Sequence, residues 1–319
     1  MKRPIGRMKD VPAPNENPTL AKGVAAIRTT GELLSETLNE WFMDGASKLA
    51  ASIAFYTVFS LAPILVILVA VAGVMYGEET IRERILTESL DLIGPQGAQI
   101  IATTLEDARE NSGAATTFGI VGLLFGATAV FVGLQDALNT IWAVAPKPSW
   151  SVWPFLRRRL VSFLMALGLG LMVVLALAAS AAVNALLAFT HSFLPFTIHY
   201  FQILNFVVWL AVVTLAFAGI YKILPDARIE WQDVWVGAIT ASVLFMIGKT
   251  LIGLFLTRST VASAYGAASS LVVFLLWIYY SAQIFLLCGE FTQVYARWRG
   301  AGITPNENAV RVVKSYLKA

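Results

Sequence analysis

Apolar residues gather in six long blocks, and this feature constrains the fold more than any other. The blocks cover residues 50–75, 117–143, 160–189, 202–224, 233–257 and 269–295. A helix needs about 20 mostly apolar residues to cross the hydrocarbon core of a bilayer. Of the 319 residues, 57% are hydrophobic and 13% are charged, whereas soluble domains carry about 25% charged residues. The sequence therefore predicts an all-α integral membrane protein with six transmembrane helices.

The distribution of Lys and Arg predicts the orientation, because short loops that are rich in basic residues stay in the cytoplasm. Eighteen of the 23 lie in the N-terminal segment, in the 144–159 and 222–232 connections, or in the C-terminal tail. Four lie in the other connections and Lys249 lies inside a span. Both termini are therefore expected in the cytoplasm. The basic start of the chain is not followed by an apolar run, so we expect no cleaved signal peptide.

The remaining segments also have distinct patterns. Residues 1–30 are rich in Pro, Asn, Lys and Gly and are predicted to be a disordered cytoplasmic tail. Residues 31–49 place apolar side chains at helical spacing among acids, which predicts an amphipathic helix at the cytoplasmic interface or on the bundle. Within the membrane domain, 50–295, the connection 76–116 predicts a helical outer cap of two short helices. Residues 296–319 are expected to form a cytoplasmic tail.

Three ionisable residues inside the spans are candidate pathway residues, because charges at membrane depth are costly and often functional. Ideal helix geometry puts Asp136 and Glu290 near the inner ends of their spans, and Lys249 roughly 20 Å away from Glu290 in depth. A direct Lys249–Glu290 pair is therefore not expected. The carboxylates are either helix-end charges held by interfacial Lys and Arg, including Lys48 and the 157–159 run, or a proton or substrate site. Asn139 and Gln283 are further polar candidates on the same two spans.

Lys249 also has two open interpretations. Its side chain either extends outward to the lipid headgroups or lines an outward-facing cavity. In the second case Asn184 and Asn205 would lie at comparable depth, and Arg258 would follow one short turn beyond. A basic site in this zone suits a phosphate headgroup better than a cation. This reasoning predicts an amphiphilic substrate, such as a phospholipid or a lipid-linked precursor.

Small residues predict a close helix contact in the second span. Gly119, Gly122, Gly126, Ala129 and Gly133 are spaced three and four residues apart, so they form one stripe on the helix. In the first span, Pro63 predicts a kink that frees a backbone carbonyl. We expect both features to be structural.

Signatures of known enzyme classes are missing from the sequence. It contains no glycine-rich phosphate loop of standard spacing, no HExxH and no GxSxG. The histidines, His191 and His199, do not have a recognised ligand spacing, and the single cysteine, Cys288, excludes an intramolecular disulfide. We therefore expect no catalytic residues, no metal, no cofactor and no nucleic-acid partner.

Several short blocks together resemble a known family. These are Lys48-Leu-Ala-Ala-Ser-Ile-Ala-Phe-Tyr-Thr-Val-Phe-Ser-Leu-Ala-Pro63, Ala137-Leu-Asn-Thr-Ile-Trp142, Ile223-Leu-Pro225, Tyr265-Gly266, Leu276-Trp-Ile-Tyr279 and Glu290. In order and spacing they resemble the YihY/virulence factor BrkB family of bacterial inner-membrane proteins. One departure is Cys288-Gly289-Glu290, where the family usually has Gly-Ala-Glu. The resemblance implies a multi-pass protein of the bacterial cytoplasmic membrane, and the family's old ribonuclease label is generally regarded as a misassignment.

Two functional hypotheses from different classes follow. The first is transport or translocation of a lipid-like substrate, with membrane lipids as partners; it is favoured by six spans with polar stripes and small-residue packing. The second is a non-transporting scaffold that binds envelope proteins through its outer cap. Substrate-dependent flux in proteoliposomes separates the two hypotheses.

Overall fold

The computed structural model describes residues 18–110, 117–147, 156–157, 159–172, 175, 178–179, 198–258, 265–300 and 302–312. The helices in these ranges are α1 (Pro18–Met43), α2 (Ala46–Tyr76), α3 (Glu78–Glu110), α4 (Thr117–Ile141), α5 (Arg159–Met172), α6 (Ile198–Ile223), α7 (Trp231–Arg258) and α8 (Ser269–Trp298). Short strands are β1 (Val144–Pro146), β2 (Ala227–Arg228), β3 (Thr304–Pro305) and β4 (Ala309–Arg311).

Four helices within the described ranges are long and apolar enough to cross a membrane, and they lie in α2, α6, α7 and α8. They correspond to the first, fourth, fifth and sixth predicted spans. Helix α4 coincides with the second predicted span, and α5 covers the first part of the third. An all-α, multi-pass membrane protein is thereby confirmed. That six helices cross the membrane, and that both termini lie inside, stay predictions.

Helix α8 lies at the centre of the bundle and contacts α1, α2, α3, α4 and α7. Its C-terminal half packs against large buried side chains at the ends of α4 and α6. The indole Nε1 of Trp142 donates to the Gly289 carbonyl at 3.2 Å, and the Tyr221 hydroxyl donates to the Phe285 carbonyl at 2.7 Å. These bonds satisfy the polar atoms of two fully buried aromatic residues, which would otherwise be costly to bury.

Glycines bring α2 and α4 into close contact. A Cβ atom on Gly126 would lie 2.6 Å from Pro63 Cγ, and one on Gly133 would lie 2.7 Å from Tyr56 Cδ2. Between them, Ser60 donates to the Gly126 carbonyl at 2.7 Å and accepts from the Val130 amide at 3.1 Å. Helix α2 continues through Pro63 to Tyr76.

Helix α1 differs from the sequence prediction at its start. It begins at Pro18, so residues 18–30, which we expected to be disordered, are helical. The physical reason is local: proline is well accommodated in the first turn of a helix, and the segment that follows is rich in alanine, a strong helix former. The C-terminal part of α1 packs against α8, where Arg297 pairs with Glu40 at 3.1 Å and Glu36 at 3.5 Å.

Residues 302–312, within the predicted C-terminal tail, cross the ends of α4 and α6. Strand β4 pairs antiparallel with β1, and β3 pairs antiparallel with β2. The Asn306 amide also donates to the Asp226 carbonyl at 3.0 Å, and the Lys147 amide donates to the Asn308 carbonyl at 2.8 Å. The segment therefore ties two inter-helix connections together.

Helix α3 is a helical hairpin. Gly94 adopts a φ of 72°, which breaks the helix into two halves. The two halves contact each other, since Arg82 Nη1 donates to the Leu105 carbonyl at 2.8 Å. Buried Ile81, Ile93 and Ile101 pack with side chains of α2 and α8. Its position on the outer side of a membrane stays a prediction.

Candidate functional site

An apolar cleft of about 250 Å³ lies between α2, α4 and α5. All its lining side chains are apolar, apart from a glycine that contributes only backbone. They come from two turns of α2, from the middle of α4 and from the second half of α5: Ile64, Ile67, Leu68, Val71, Phe131, Ala166, Leu167, Leu169 and Gly170. A cleft of this composition accepts hydrocarbon and offers nothing to replace the water shell of an ion.

Arg159 lies close to this cleft, at the start of α5. Its Nη1 atom donates to the Thr128 hydroxyl at 2.7 Å and to the Phe125 carbonyl at 3.4 Å. Its guanidinium carbon also lies 4.8 Å from the centre of the Phe125 ring, which is favourable cation–π geometry. Three contacts on one helix thus hold the guanidinium against α4.

The contact with Thr128 places Arg159 near mid-depth of the bundle. Ser60 lies at the middle of the candidate span Ala46–Val74, and it bonds to α4 on both sides of Thr128, at Gly126 and Val130. The sequence assigned the 157–159 run to the inner mouth, near Asp136. The structure instead puts Arg159 beside Thr128, eight residues and about 12 Å from Asp136 along α4, towards the N-terminus of that helix.

Asn139 lies near the C-terminal end of α4 and binds the connection between α6 and α7. Its Nδ2 donates to Asp226 Oδ2 at 2.9 Å, and its Oδ1 accepts from the Asp226 amide at 2.8 Å. Gln135 Nε2 donates to the same carboxylate oxygen at 3.2 Å. These bonds fasten a loop to a helix, so Asn139 acts as a structural clamp in this arrangement.

The two candidate carboxylates, Asp136 and Glu290, lie in different surroundings. Asp136 is exposed on α4, whereas Glu290 is completely buried on α8, next to the Gly289 carbonyl that accepts from Trp142. One surface and one buried position do not make a shared carboxylate pair. Their roles stay open as hypotheses.

Lys249 is half-buried on α7 and lies away from Glu290. The neighbouring Gly248 packs against Tyr280 and Ile284 of α8, and these two residues lie six to ten residues, or about 9 to 15 Å, along α8 from Glu290. Gln283 is half-buried on α8. Asn205 lies in α6, Arg258 is the last residue of α7, and Asn184 lies outside the described residues. The predicted site around Lys249 therefore stays a prediction.

An ion-pair cluster that the sequence analysis did not identify joins the start of α7 to the end of α8. Arg299 contacts Glu230 at 2.5 Å and Asp233 at 3.1 Å, and its Nη1 donates to Gln232. Asp233 is completely buried. Such a cluster stabilises a helix junction. Within the described ranges, no group of three or more His, Cys, Asp or Glu side chains is placed to hold a metal ion.

Curated relatives of the chain are membrane proteins. It is 27% identical over 259 residues to a UPF0761 membrane protein of Rhodospirillum centenum, covering 80% of this chain and 55% of the relative. A UPF0761 membrane protein of Nitrosospira multiformis is 26% identical over 283 residues, covering 88% and 64%. One of Ralstonia nicotianae is 28% identical over 249 residues, covering 76% and 54%. The chain thus spans 54–64% of the length of these relatives.

No solved structure matches the chain. The sequence profile of the family described as Virulence factor BrkB matches residues 37–312. This range includes α2 to α8 and the C-terminal strands β3 and β4. The resemblance inferred from the sequence blocks is therefore confirmed, and the chain belongs to the Virulence factor BrkB family of membrane proteins.

Proposed function

We propose that the protein transports or translocates an amphiphilic, lipid-like molecule in the bacterial cytoplasmic membrane. The observation that carries this proposal is the apolar cleft between α2, α4 and α5. Its volume of about 250 Å³ is just below the roughly 300 to 1,000 Å³ of small-molecule pockets. The cleft therefore suits a segment of a hydrocarbon chain better than a whole lipid molecule.

The contact between α2 and α4, beside the cleft, also supports a bundle in which helices can move relative to one another. Gly126 and Gly133 let Pro63 and Tyr56 of α2 approach the backbone of α4 closely. Small-residue contacts of this kind allow helices to approach closely in a membrane, and we expect them to allow one helix to slide along the other. Such a movement would change the width of the cleft, whose walls are α2, α4 and α5.

The alternative is a non-transporting scaffold. The feature that favours it is the α3 hairpin, which packs on α2 and α8 and carries exposed acids, including Glu79, Glu83 and Glu106. An exposed, charged hairpin on a rigid base is a suitable surface for another envelope protein. A scaffold needs no lipid flux, so flux discriminates between the two proposals.

The test is lipid flux in proteoliposomes, measured as the fraction of a fluorescent phospholipid that a membrane-impermeant reductant can reach. Gly170→Leu fills the cleft, because Gly170 lines it and a Cβ there lies 3.7 Å from Leu68 Cδ1. Gly168→Leu is the matched control, since a Cβ at Gly168 meets no atom within 4 Å.

We expect the unmodified protein and Gly168→Leu to accelerate flux over empty vesicles, and Gly170→Leu to reduce it severalfold. Flux equal to that of empty vesicles would favour the scaffold. Equal flux from both variants would show that the cleft is not the route. Size-exclusion chromatography of each variant checks that a loss of flux does not come from misfolding.

A further inference from the structure

Helix α1 exposes an apolar stripe along its second half. The stripe consists of side chains four residues apart, which lie on one face of a helix: Leu34, Leu38 and Phe42. Their exposed fractions are 52%, 48% and 72%. A neighbouring face of α1 is held on the bundle, where Thr37 is buried and Trp41 packs against the core. The helix is therefore docked by one face while the adjacent apolar face stays open.

Exposed polar side chains of α1 lie on a third face, apart from the apolar stripe. Glu32, Glu36 and Asn39 are exposed. With 3.6 residues per turn, they are rotated about 100 to 160° around the helix axis from Leu38, the middle of the stripe. Such a separation of exposed apolar and polar residues is typical of a helix whose faces meet two different environments, one apolar and one aqueous.

The apolar stripe lies at the level where the membrane spans end. Arg297, the next-to-last residue of the candidate span Ser269–Trp298, pairs with Glu40 of α1. The candidate span that follows α1 begins at Ala46, three residues after α1 ends. Trp298 is exposed at the same level, and tryptophan is enriched where the hydrocarbon core meets the lipid headgroups. The stripe is thus continuous with the lipid-facing surface of the spans.

We propose that the apolar stripe of α1 binds the lipid leaflet at this end of the bundle, with its side chains among the acyl chains next to the headgroups. Helices of this type bury their apolar face about 5 to 10 Å into the boundary between headgroups and acyl chains. The sequence left open whether α1 lies at the interface or on the bundle, and its separate faces allow both contacts at once. Because the polar face carries acids, burial of apolar area rather than attraction to anionic lipids holds the helix there. The inference goes beyond the proposed function and does not depend on transport.

The test measures how accessible a nitroxide label on α1 is to oxygen, which concentrates in lipid, and to a charged nickel chelate, which stays in water. The full chain is reconstituted in dioleoylphosphatidylcholine vesicles, with Cys288→Ala and one introduced cysteine in each variant. Leu38→Cys and Phe42→Cys report on the apolar stripe, and Asn39→Cys is the matched control on the exposed polar face. Ile247→Cys, at an exposed position within the α7 span, is the reference for hydrocarbon.

We expect the ratio of oxygen accessibility to nickel accessibility to be severalfold higher at Leu38 and Phe42 than at Asn39, and highest at Ile247. Each variant replaces an exposed side chain, and either stripe position alone decides the outcome.

Equal ratios at all the α1 positions would place the stripe in water and overturn the inference. Low accessibility to both reagents at Leu38 and Phe42 would also overturn it, because protein rather than lipid would then cover the stripe. Dipolar broadening that decreases on dilution with unlabelled protein would identify this cover as a second copy of the chain. The measurement needs no lipid flux, so its failure is distinct from a failure of the transport proposal.

Discussion

Asn139 holds the connection between α6 and α7 through two hydrogen bonds to Asp226, of 2.9 and 2.8 Å. Its side chain is only 4% exposed. Asn139→Leu removes both bonds and leaves the Asp226 amide without this acceptor. We expect the free energy of unfolding to fall by about 1 to 3 kcal/mol, the usual cost of leaving a buried polar group unsatisfied. Unfolding by sodium dodecyl sulfate in mixed micelles measures this loss.

Thr140→Ala is the control for Asn139→Leu. Thr140 is the next residue, is exposed, and donates its hydroxyl to the Asp136 carbonyl of the same helix. Its removal should change the free energy of unfolding by less than about 0.5 kcal/mol, as for other surface substitutions. A similar loss in both variants would mean that the Asn139–Asp226 clamp does not stabilise the fold.

The sequence could identify polar candidates but not their partners. Asn139 stood out because it is polar within an apolar block, but Asp226 is 87 residues away. Arg159 was assigned to a loop because it ends a basic run before an apolar block. Its partner Thr128 is 31 residues away on another helix. Only the packing of α5 on α4 reveals the depth of Arg159. A charge at the edge of an apolar block gives the same sequence pattern whatever the depth of the helix in the bundle.

At the scale of whole elements, the contact between α2 and α4 depends on the absence of a side chain at Gly126. A Cβ there would lie 2.6 Å from Pro63 Cγ, in a ring that cannot rotate away. We expect Gly126→Ala to lower the free energy of unfolding by about 1 to 3 kcal/mol, the usual cost of overpacking. The same detergent titration measures it.

Gly253→Ala provides the comparison for Gly126→Ala. Gly253 lies in α7, and a Cβ there meets no atom within 4 Å. Alanine is the better helix former, so this variant should be neutral or stabilised by up to about 1 kcal/mol. If Gly126→Ala is equally neutral, the two helices are not held at this distance by the glycine.

The helices were predictable where the pattern is local, and the connections were not. The ends of α4, α7 and α8 lie within three residues of the predicted spans, because long apolar runs have clear boundaries. The pairing of β1 with β4 joins segments more than 150 residues apart. No local pattern marks such short strands, so the sequence predicted only a cytoplasmic tail for residues 296–319. The early start of α1 was missed because the polar composition of residues 18–30 outweighed its alanines.

For the molecule as a whole, we predict no intrinsic ribonuclease activity. Hydrolysis of a phosphodiester commonly depends on clustered metal-binding groups that the RNA can reach. Asp136 is exposed and Glu290 is buried on another helix, so they do not form such a cluster. Incubation of the purified protein with a fluorescent RNA should give no cleavage above the buffer control. Cleavage that copurifies with the chain and disappears in Asp136→Asn or Glu290→Gln would contradict this prediction.

The arrangement of the ends of the molecule leads to a prediction of topology. Arg297, near the end of α8, pairs with Glu40 of α1, whereas Phe274, near its start, packs in the cluster of the α3 hairpin. The two termini of α8 therefore mark opposite ends of the bundle. The excess of Lys and Arg assigns the α1 end to the cytoplasm. Both termini are then inside and the hairpin is outside.

Cysteine labelling in intact cells tests this topology. The native cysteine is buried, and Cys288→Ala removes it, so that the introduced cysteine is the thiol that reacts. Glu83→Cys and Glu106→Cys place thiols at exposed hairpin positions, and Glu307→Cys places one at an exposed position of the turn between β3 and β4. A membrane-impermeant maleimide should label the two hairpin variants directly and the Glu307 variant only after permeabilisation, because a charged reagent does not cross the bilayer. Direct labelling at Glu307, with the hairpin variants protected until permeabilisation, would reverse the orientation of every helix.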